Sequence, residues 1–401
     1  MGSTKQRLHR LWHPPRALRD RPDERRVTFL ELFYDLVYVV LIAQFAHRLS
    51  THMSWTGLGE FALVFLVVWW AWFNGSLYHE NHGSDDFRAR VLTFLQMFAV
   101  VAMAIFAHDP FHHGFTGFSL SYAAFQLILT YLWWRTGVHD PDHRPLSRPY
   151  SSSCLISAML FAVSVFAPAE LRLWLWGAGI AVALTLPVLM MMLRQTRAEV
   201  QEQIELSTRI TPSLSERMGL FTIIVLGEVI AGVIAGMTGH HALSWSLFGV
   251  AALGTLIAIG LWWVYFDAAA GMAPKGRRMG FIGWAFLHLL LTMGIAGTGA
   301  SVGHAIGHAG EHVSTGARWI LVSMVAFTLL TIGGLVRIVK HSGDVRRIHY
   351  IAGKVMLVGA IPAVLLGFLE IEVLPLLGIL AALVLAPILL AILTWVLAHE
   401  E

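Results

Sequence analysis

The sequence predicts an all-α fold, a polytopic integral membrane bundle of about twelve transmembrane helices. Hydrophobic residues make up 56% of the 401 residues and charged residues only 13%, whereas an average soluble domain carries about 25% charge. Apolar stretches close to the roughly 20 residues that span a bilayer recur along the chain. A surface this poor in charge is stable in lipid, so the composition excludes a soluble enzyme.

The predicted spans follow one another as two sets of six apolar segments. The first set lies at about residues 30–49, 57–78, 91–107, 118–136, 151–167 and 171–193. The second set lies at about residues 217–237, 245–267, 280–302, 317–340, 351–368 and 373–397.

A polar stretch separates the two sets and suggests the domain organisation. Residues 1–29 form a basic cytoplasmic tail, residues 30–193 a first six-helix half and residues 217–401 a second six-helix half. Between them, residues 194–216 are rich in Gln, Glu and Arg, a composition that suits a short cytoplasmic helix. If the two halves are repeats, both begin and end inside, which makes them parallel rather than inverted repeats.

The basic residues predict the orientation in the membrane. With the N-terminus inside, every Lys and Arg lies in a cytoplasmic segment or at a cytoplasmic span end, except Arg48, Arg172 and Arg318. The positive-inside rule therefore places both termini in the cytoplasm. Because the basic residues are scattered among short loops, they do not indicate a nucleic-acid partner, and the single Cys154 excludes an internal disulfide.

The first span carries a polar stripe. At 100° per residue, Glu31, Tyr34, Asp35 and Tyr38 fall on one helix face about 100° wide, and such a face cannot point at lipid. The stripe is interpreted as an ion or proton site between helices, with two carboxylates close together. An interhelical structural pairing with Arg or backbone donors is the alternative interpretation.

The seventh span carries a carboxylate near mid-membrane. Glu228 lies eleven residues, or about 16 Å along a helix, after Arg217. Its neighbours Gly227 and Gly232 allow close helix packing, so we expect Glu228 to face a packed or hydrated interior and to bind an ion or substrate. Glu216 and Arg217, at the inner end of this span, are interpreted as a structural charge pair.

Two further ionisable residues lie in the following spans. Asp267 ends the aromatic run LWWVYFD and is a candidate ion or substrate ligand, or else a structural clamp to Arg277 or Arg278. His288 lies in the ninth span and could titrate near neutral pH. A hydrogen-bonded packing role for His288 is the alternative.

A histidine-rich stretch, GHAIGHAGEH, lies at the predicted outer surface. On a continuous helix, His304, His308 and His312 would share one face, with Glu311 adjacent, and two such histidines can hold a zinc ion. Glycines weaken the helix there, so solvated loop histidines are the alternative interpretation. Any cofactor is left unknown by the sequence, which contains no nucleotide-binding, kinase or metalloprotease motif.

Three motifs and one polar stretch resemble the bacterial low temperature requirement protein A (LtrA) family. The motifs are RRVTFLELFYDLVYVVLIAQFAHRLS (25–50), ERMGLFTIIVLGEVIAG (216–232) and LWWVYFD (261–267), with DDFRAR (85–90) in the expected place. The resemblance implies a multi-pass protein of the bacterial inner membrane, associated by name with growth in the cold, and implies no settled activity. The family's motif positions correspond here to Glu31, Asp35, Glu216, Arg217, Glu228 and Asp267. The chain departs from the family at TPSLSER, where other members often carry a histidine.

The leading functional hypothesis is a transporter or channel for a small ion or solute, proton- or cation-coupled through the buried carboxylates. A membrane-embedded metal-dependent enzyme or sensor that uses the outer histidines is the first alternative. A structural or stress-related membrane component, in which buried charges only fix helix packing, is the second. The expected partners are the lipid bilayer and the transported ion or solute, and a homodimer is one assembly consistent with the sequence.

Overall fold

The structure, a computed structural model, describes residues 13–22, 25–194, 198–238, 244–276, 278–309, 313–341 and 345–399. Within these ranges it contains thirteen α-helices, two short 3-10 turns and no strand beyond one isolated bridge. The predicted all-helical fold is confirmed.

The first six long helices are α1 (Phe29–Thr51), α2 (Trp55–His82), α3 (Phe87–Phe106), α4 (Phe115–His139), α5 (Arg144–Ser164) and α6 (Ala169–Arg194). A short helix, α7 (Ala198–Ser207), follows in the predicted linker. The remaining helices are α8 (Pro212–Thr238), α9 (Trp245–Ala268), α10 (Arg278–Gly307), α11 (Thr315–Ile338), α12 (Val345–Leu365) and α13 (Val373–His399).

Eleven of the described helices are long and apolar enough to cross a membrane. The twelfth long helix, α5, is less apolar because it opens with the polar sequence RPLSRPYSSS. It begins at Arg144, seven residues before the predicted span. Its Ser147, Ser151 and Ser153 side chains are buried in protein. A hydropathy argument cannot detect a polar turn of this kind.

The chain divides into two compact units. The first unit comprises Met1–Gln44 and Val67–Leu214, and the second comprises Phe45–Leu66 and Ser215–Glu401. The boundaries fall inside α1 and α2, so each of these helices contributes to both units. In the first unit α4 packs against α3 and α5, and α5 also packs against α6. In the second unit α11 packs against α10 and α12, and α13 packs against α9 and α12.

Close backbone contact joins α8 and α10 in the second unit. A Cβ atom added to Gly303 would lie 2.8 Å from the carbonyl oxygen of Gly232, and one added to Gly299 would lie 2.7 Å from the carbonyl oxygen of Glu228. Only glycine allows two helices to approach this closely. The glycines therefore set the position of Glu228 against α10.

Candidate functional site

The polar stripe of α1 is buried. Glu31, Tyr34, Asp35 and Tyr38 are each no more than 5% exposed. Glu31 also stabilises the start of α1, because it forms a capping box with Thr28. The Thr28 backbone N–H donates to the Glu31 carboxylate at 2.9 Å, and the Glu31 N–H donates to the Thr28 hydroxyl at 3.3 Å.

Arg25 connects Glu31 to a second carboxylate, Glu80, near the end of α2. Its Nη2 lies 2.5 Å from Glu31 Oε1 and its Nη1 lies 3.0 Å from Glu80 Oε2. The three side chains are between 5% and 16% exposed. We call this arrangement the Glu31–Arg25–Glu80 cluster; two carboxylates share one guanidinium in it.

Hydroxyl groups at the start of α8 complete the coordination of Glu80. The Thr211 hydroxyl donates to Glu80 Oε1 at 2.7 Å, and the Ser213 hydroxyl lies 2.9 Å from Oε2 and 3.0 Å from Oε1. With Arg25, these hydroxyls satisfy both carboxylate oxygens of Glu80 although the side chain is buried.

A cavity of about 360 Å³ opens beside the cluster. Its polar lining combines both signs of charge with hydroxyl and imidazole groups, from Arg16, Arg25, Thr28, Glu31, His79, Ser84, Asp85 and Thr93. This volume is several times that of a water molecule. A hydrated ion or a small polar molecule fits into it.

His79 forms one wall of the cavity. Its Nδ1 lies 2.7 Å from the carbonyl oxygen of Gly75 and its Nε2 lies 3.0 Å from the Thr93 hydroxyl. The carbonyl only accepts, so Nδ1 carries a proton. The ring of Tyr34 packs against the imidazole, with ring centres 5.7 Å apart.

Further along α1, the stripe continues as a hydrogen-bonded aromatic layer. The hydroxyls of Tyr34 and Tyr38 lie 3.0 Å apart. The indole N–H of Trp72 donates to Asp35 Oδ1 at 2.7 Å. Asp35 is therefore bound by an uncharged donor on α2, among other contacts.

The segment before α1 packs against this end of the first unit. Arg16 Nη2 donates to the Glu80 carbonyl oxygen at 2.7 Å, and the Arg16 backbone N–H donates to the His82 carbonyl oxygen at 3.3 Å. Arg21 donates to the Asn81 side chain at 2.7 Å and to the Leu206 carbonyl oxygen at 2.9 Å. Burial lowers the pKa of Arg16, and the neighbouring Arg25 lowers it further.

In the second unit, Glu228 lies half-buried on α8. Among the described residues it has no hydrogen-bond or ion-pair partner. Near the start of the same helix, Glu216 is exposed whereas Arg217 is 3% exposed. Consecutive residues on a helix point in different directions, which accounts for this difference between the two residues of the predicted charge pair.

Asp267 is exposed at the end of α9, where its Oδ2 accepts a hydrogen bond from the Trp263 indole at 2.6 Å. It lines a second cavity of about 180 Å³ together with His349. The Nδ1 atoms of His349 and His341 lie 3.1 Å apart. Arg277, a predicted partner of Asp267, lies outside the described residues.

His288 is buried and hydrogen-bonded at both ring nitrogens. Nδ1 donates to the Trp284 carbonyl oxygen at 2.7 Å, and Nε2 lies 3.1 Å from the Tyr265 hydroxyl. The ring is 2% exposed. These contacts describe a histidine that packs within the helix bundle, the alternative given above.

Two histidines of the GHAIGHAGEH stretch, His304 and His308, form a pair in the part of the chain that the structure describes. His304 Nδ1 lies 2.8 Å from the Ser50 carbonyl oxygen, and the rings of His304 and His308 have centres 4.3 Å apart. Glu311 and His312 lie outside the described residues. Within the described ranges no group of three or more His, Cys, Asp or Glu side chains could hold a metal ion.

Arg25, Glu80 and His79 are not among the site residues predicted from the sequence. The capping-box spacing from Thr28 to Glu31 was the local signal for the start of α1. The ionisable run HENH at the end of α2 was the signal for Glu80 and His79. No local pattern pairs Arg25 with Glu80, because 55 residues separate them.

Comparisons with known proteins give a family and one relative, and the printed descriptions state no activity. A family model described as bacterial low temperature requirement A protein (LtrA) matches residues 26–398. An uncharacterized protein of Rhizobium meliloti is 24% identical over 271 residues, which cover 65% of this chain. The match spans 63% of that relative's length.

Proposed function

Since the chain belongs to the bacterial low temperature requirement A (LtrA) family, we propose that it is a membrane transport protein for a small cation or a cation-coupled solute. The Glu31–Arg25–Glu80 cluster and its cavity carry this proposal. Carboxylates inside a membrane protein cost at least about 2.5 to 3.5 kcal/mol on insertion scales, and they commonly mark an ion or substrate pathway.

The cluster explains how a cation could enter and leave. In the structure, Arg25 occupies both carboxylates. A cation that arrives through the cavity competes with Arg25 for Glu31, and the lining offers it the carboxylate and hydroxyl oxygens of Glu31, Asp85 and Thr28, the ligands that hard cations prefer. Displacement of Arg25 also breaks its contact with Glu80. When the cation leaves, Arg25 returns to its carboxylate partners. The carboxylates are therefore paired with a positive charge both with and without the bound cation, and no buried carboxylate is left unpaired.

Reconstituted proteoliposomes test the proposal. Fluxes of protons, sodium and potassium are measured for the wild type and for Glu80→Gln, which removes one carboxylate of the cluster and keeps its shape. We expect the flux of the transported cation to fall at least about tenfold. The control is Glu202→Gln on α7, an exposed carboxylate, which should retain the wild-type flux.

Glu228→Gln extends the test to the second unit. A carboxylate that is half-buried in an apolar helix and has no described partner is expected to serve the pathway, so this variant should also reduce flux. If Glu80→Gln and Glu228→Gln both keep every wild-type flux, the transport proposal is wrong.

A structural role is the second candidate, favoured by the complete hydrogen bonding of Glu80. It predicts lower thermal stability of Glu80→Gln in detergent with unchanged flux. Measuring melting temperature and flux on the same preparations separates the two functions.

The proposed topology places the chain in the bacterial cytoplasmic membrane with both termini inside, on the strength of its charge distribution. Fusions of a fluorescent protein and of alkaline phosphatase to either terminus test this topology. Fluorescence without phosphatase activity is expected, and phosphatase activity at either end would overturn it.

A further inference from the structure

The second unit contains a cavity of about 180 Å³ that shares no residue with the Glu31–Arg25–Glu80 cluster. It is lined by side chains from the end of α9, from α12 and from α13. Most of the lining is aliphatic and includes Val264, Met356, Ile388 and Ile392. Among the described residues, the lining side chains that carry a nitrogen or oxygen atom are those of Trp263, Asp267 and His349. The cavity therefore combines an apolar wall with a few polar groups.

The carboxylate of Asp267 leaves one oxygen for a ligand. Its Oδ2 accepts from the Trp263 indole N–H at 2.6 Å. The two residues are four positions apart on α9 and lie on the same face of the helix, so the indole holds the carboxylate in place. Asp267 Oδ1 has no hydrogen-bond partner among the described residues. A donor that enters the cavity can therefore bind this oxygen.

Hydrogen bonds determine which nitrogen of His349 can accept. His341 Nε2 lies 2.9 Å from the Val336 carbonyl oxygen. A carbonyl oxygen only accepts, so this nitrogen carries the proton of a neutral His341 ring. His341 Nδ1 then bears the lone pair and accepts from His349 Nδ1 at 3.1 Å. In a neutral His349 the lone pair therefore lies on Nε2, which has no hydrogen-bond partner among the described residues.

Asp267 and His349 present two acceptors to one cavity, and they lie close enough for the carboxylate to act electrostatically on the imidazole. A matching ligand supplies hydrogen-bond donors and a positive charge at this place, and an apolar surface to the rest of the lining. An ammonium group has three N–H donors and no acceptor. We propose that the cavity binds a primary ammonium group carried on an apolar body, with Asp267 as the counter-ion and His349 Nε2 as a second acceptor.

Other classes of ligand match this lining less well. Calcium and magnesium ions take about six oxygen ligands or more, and within the described ranges no group of three or more His, Cys, Asp or Glu side chains could hold a metal ion. The charge of Asp267 repels an anion. A neutral hydrocarbon would remove that carboxylate from water without giving it a partner, which is unfavourable.

Two kinds of molecule carry such a group. The headgroup of an ethanolamine lipid and a free alkylamine both present a primary ammonium next to an apolar chain. The contacts with Asp267 and His349 are the same for either molecule, because both acceptors recognise the ammonium itself. The experiment therefore tests the ammonium first and then separates the two sources.

Photo-crosslinking of the purified full-length protein in detergent tests the proposal. The probe is a short alkylamine that carries a diazirine, and the control probe has a hydroxyl in place of the amine. At about pH 8 an ordinary imidazole is neutral and an alkylammonium is charged. We expect mass spectrometry to find residues 348–356 and 388–392 labelled at least about tenfold more by the amine than by the alcohol, since charge-assisted hydrogen bonds are the stronger ones.

Three variants locate the binding groups. Asp267→Asn keeps the shape of the side chain and removes its charge, so labelling by the amine should fall at least about tenfold. His349→Leu removes the second acceptor and should lower the labelling by a smaller factor, because that acceptor is neutral. Glu202→Gln, which alters an exposed carboxylate on α7, is the matched control and should be labelled as the wild type is.

Equal labelling of the wild type by the amine and the alcohol overturns the proposal, and this comparison does not depend on the folding of any variant. Unchanged labelling of Asp267→Asn also overturns it, and unchanged labelling of His349→Leu contradicts the role of that residue as an acceptor.

Labelling in phosphatidylglycerol vesicles with and without phosphatidylethanolamine separates the two sources. Protection by phosphatidylethanolamine supports the site and assigns it to a lipid headgroup, whereas unprotected labelling supports it as a site for a free amine. No flux is measured, so the outcome is independent of the transport proposal.

Discussion

Replacing Arg25 with methionine tests whether its guanidinium stabilises the folded protein by pairing with the buried carboxylates Glu31 and Glu80. Arg25→Met keeps a long side chain and leaves Glu31 and Glu80 as buried carboxylates without their shared partner. The stability lost can be estimated in two ways that agree. Losing two charge-assisted hydrogen bonds costs about 1.5 to 3 kcal/mol each, and breaking a buried ion pair costs about 3 to 5 kcal/mol. We expect the free energy of unfolding to fall by about 3 to 5 kcal/mol.

Arg90→Met is the matched control for this change. Arg90 Nη2 also lies 3.0 Å from a carboxylate oxygen, that of Asp85, but the two side chains are 54% and 80% exposed. Solvent screens such a pair, so its loss should cost between about 0 and 1 kcal/mol. The two variants differ mainly in burial.

Unfolding in mixed micelles, followed by the fluorescence of the 15 tryptophans, measures both variants. Adding Glu31→Gln and Glu80→Gln to Arg25→Met removes the uncompensated charges and should recover part of the lost stability. If Arg25→Met and the Arg90 control agree within about 0.5 kcal/mol, the cluster contributes no ion-pair energy and the reasoning is refuted.

Three further predictions concern packing, hydrogen bonding and accessibility. Gly303→Ala brings a Cβ against the backbone of α8 and should lower the free energy of unfolding by about 1 to 3 kcal/mol. The control Gly227→Ala, at a position with open space around it, should change that free energy by no more than about 1 kcal/mol. Equal effects of the two variants would contradict the close contact between α8 and α10. Asp35→Leu removes the acceptor of an indole N–H and should cost about 1 to 3 kcal/mol, whereas Asp35→Asn keeps an acceptor and should cost less in the same unfolding assay. The thiol of Cys154 is buried, so a maleimide should label it only after denaturation; rapid labelling of the native protein would show that this part of the first unit is open.

The positions of the long helices could be predicted from the sequence because lipid imposes a minimum apolar length on each span. The prediction for the eighth span, 245–267, differs from α9 by a single residue at its end. It was less accurate for α5, whose polar first turns are shielded by protein. Hydropathy measures the preference for lipid and cannot identify a serine that is buried against another helix.

The buried face of α1 could also be predicted, since a helical period assigns Glu31, Tyr34, Asp35 and Tyr38 to one side. The partners of that face could not. Arg25 and Thr211 contact Glu80 only once the folded chain has brought the segment before α1, the end of α2 and the start of α8 together. Contacts of this kind leave no periodic signal in the sequence. His82 and His143, 61 residues apart in the chain and with ring centres 4.7 Å apart, escaped notice for the same reason.

The hydrogen bonds of the N-terminal segment have a consequence for biosynthesis. Arg21 contacts the Leu206 carbonyl oxygen, so this segment leaves the ribosome long before its docking surface exists. At about 5 to 20 residues per second, roughly 10 to 40 seconds separate the synthesis of the two contact points. During that interval the arginine-rich segment before α1 stays without its contact to Leu206. The first unit therefore reaches its final arrangement only after α7 has been made.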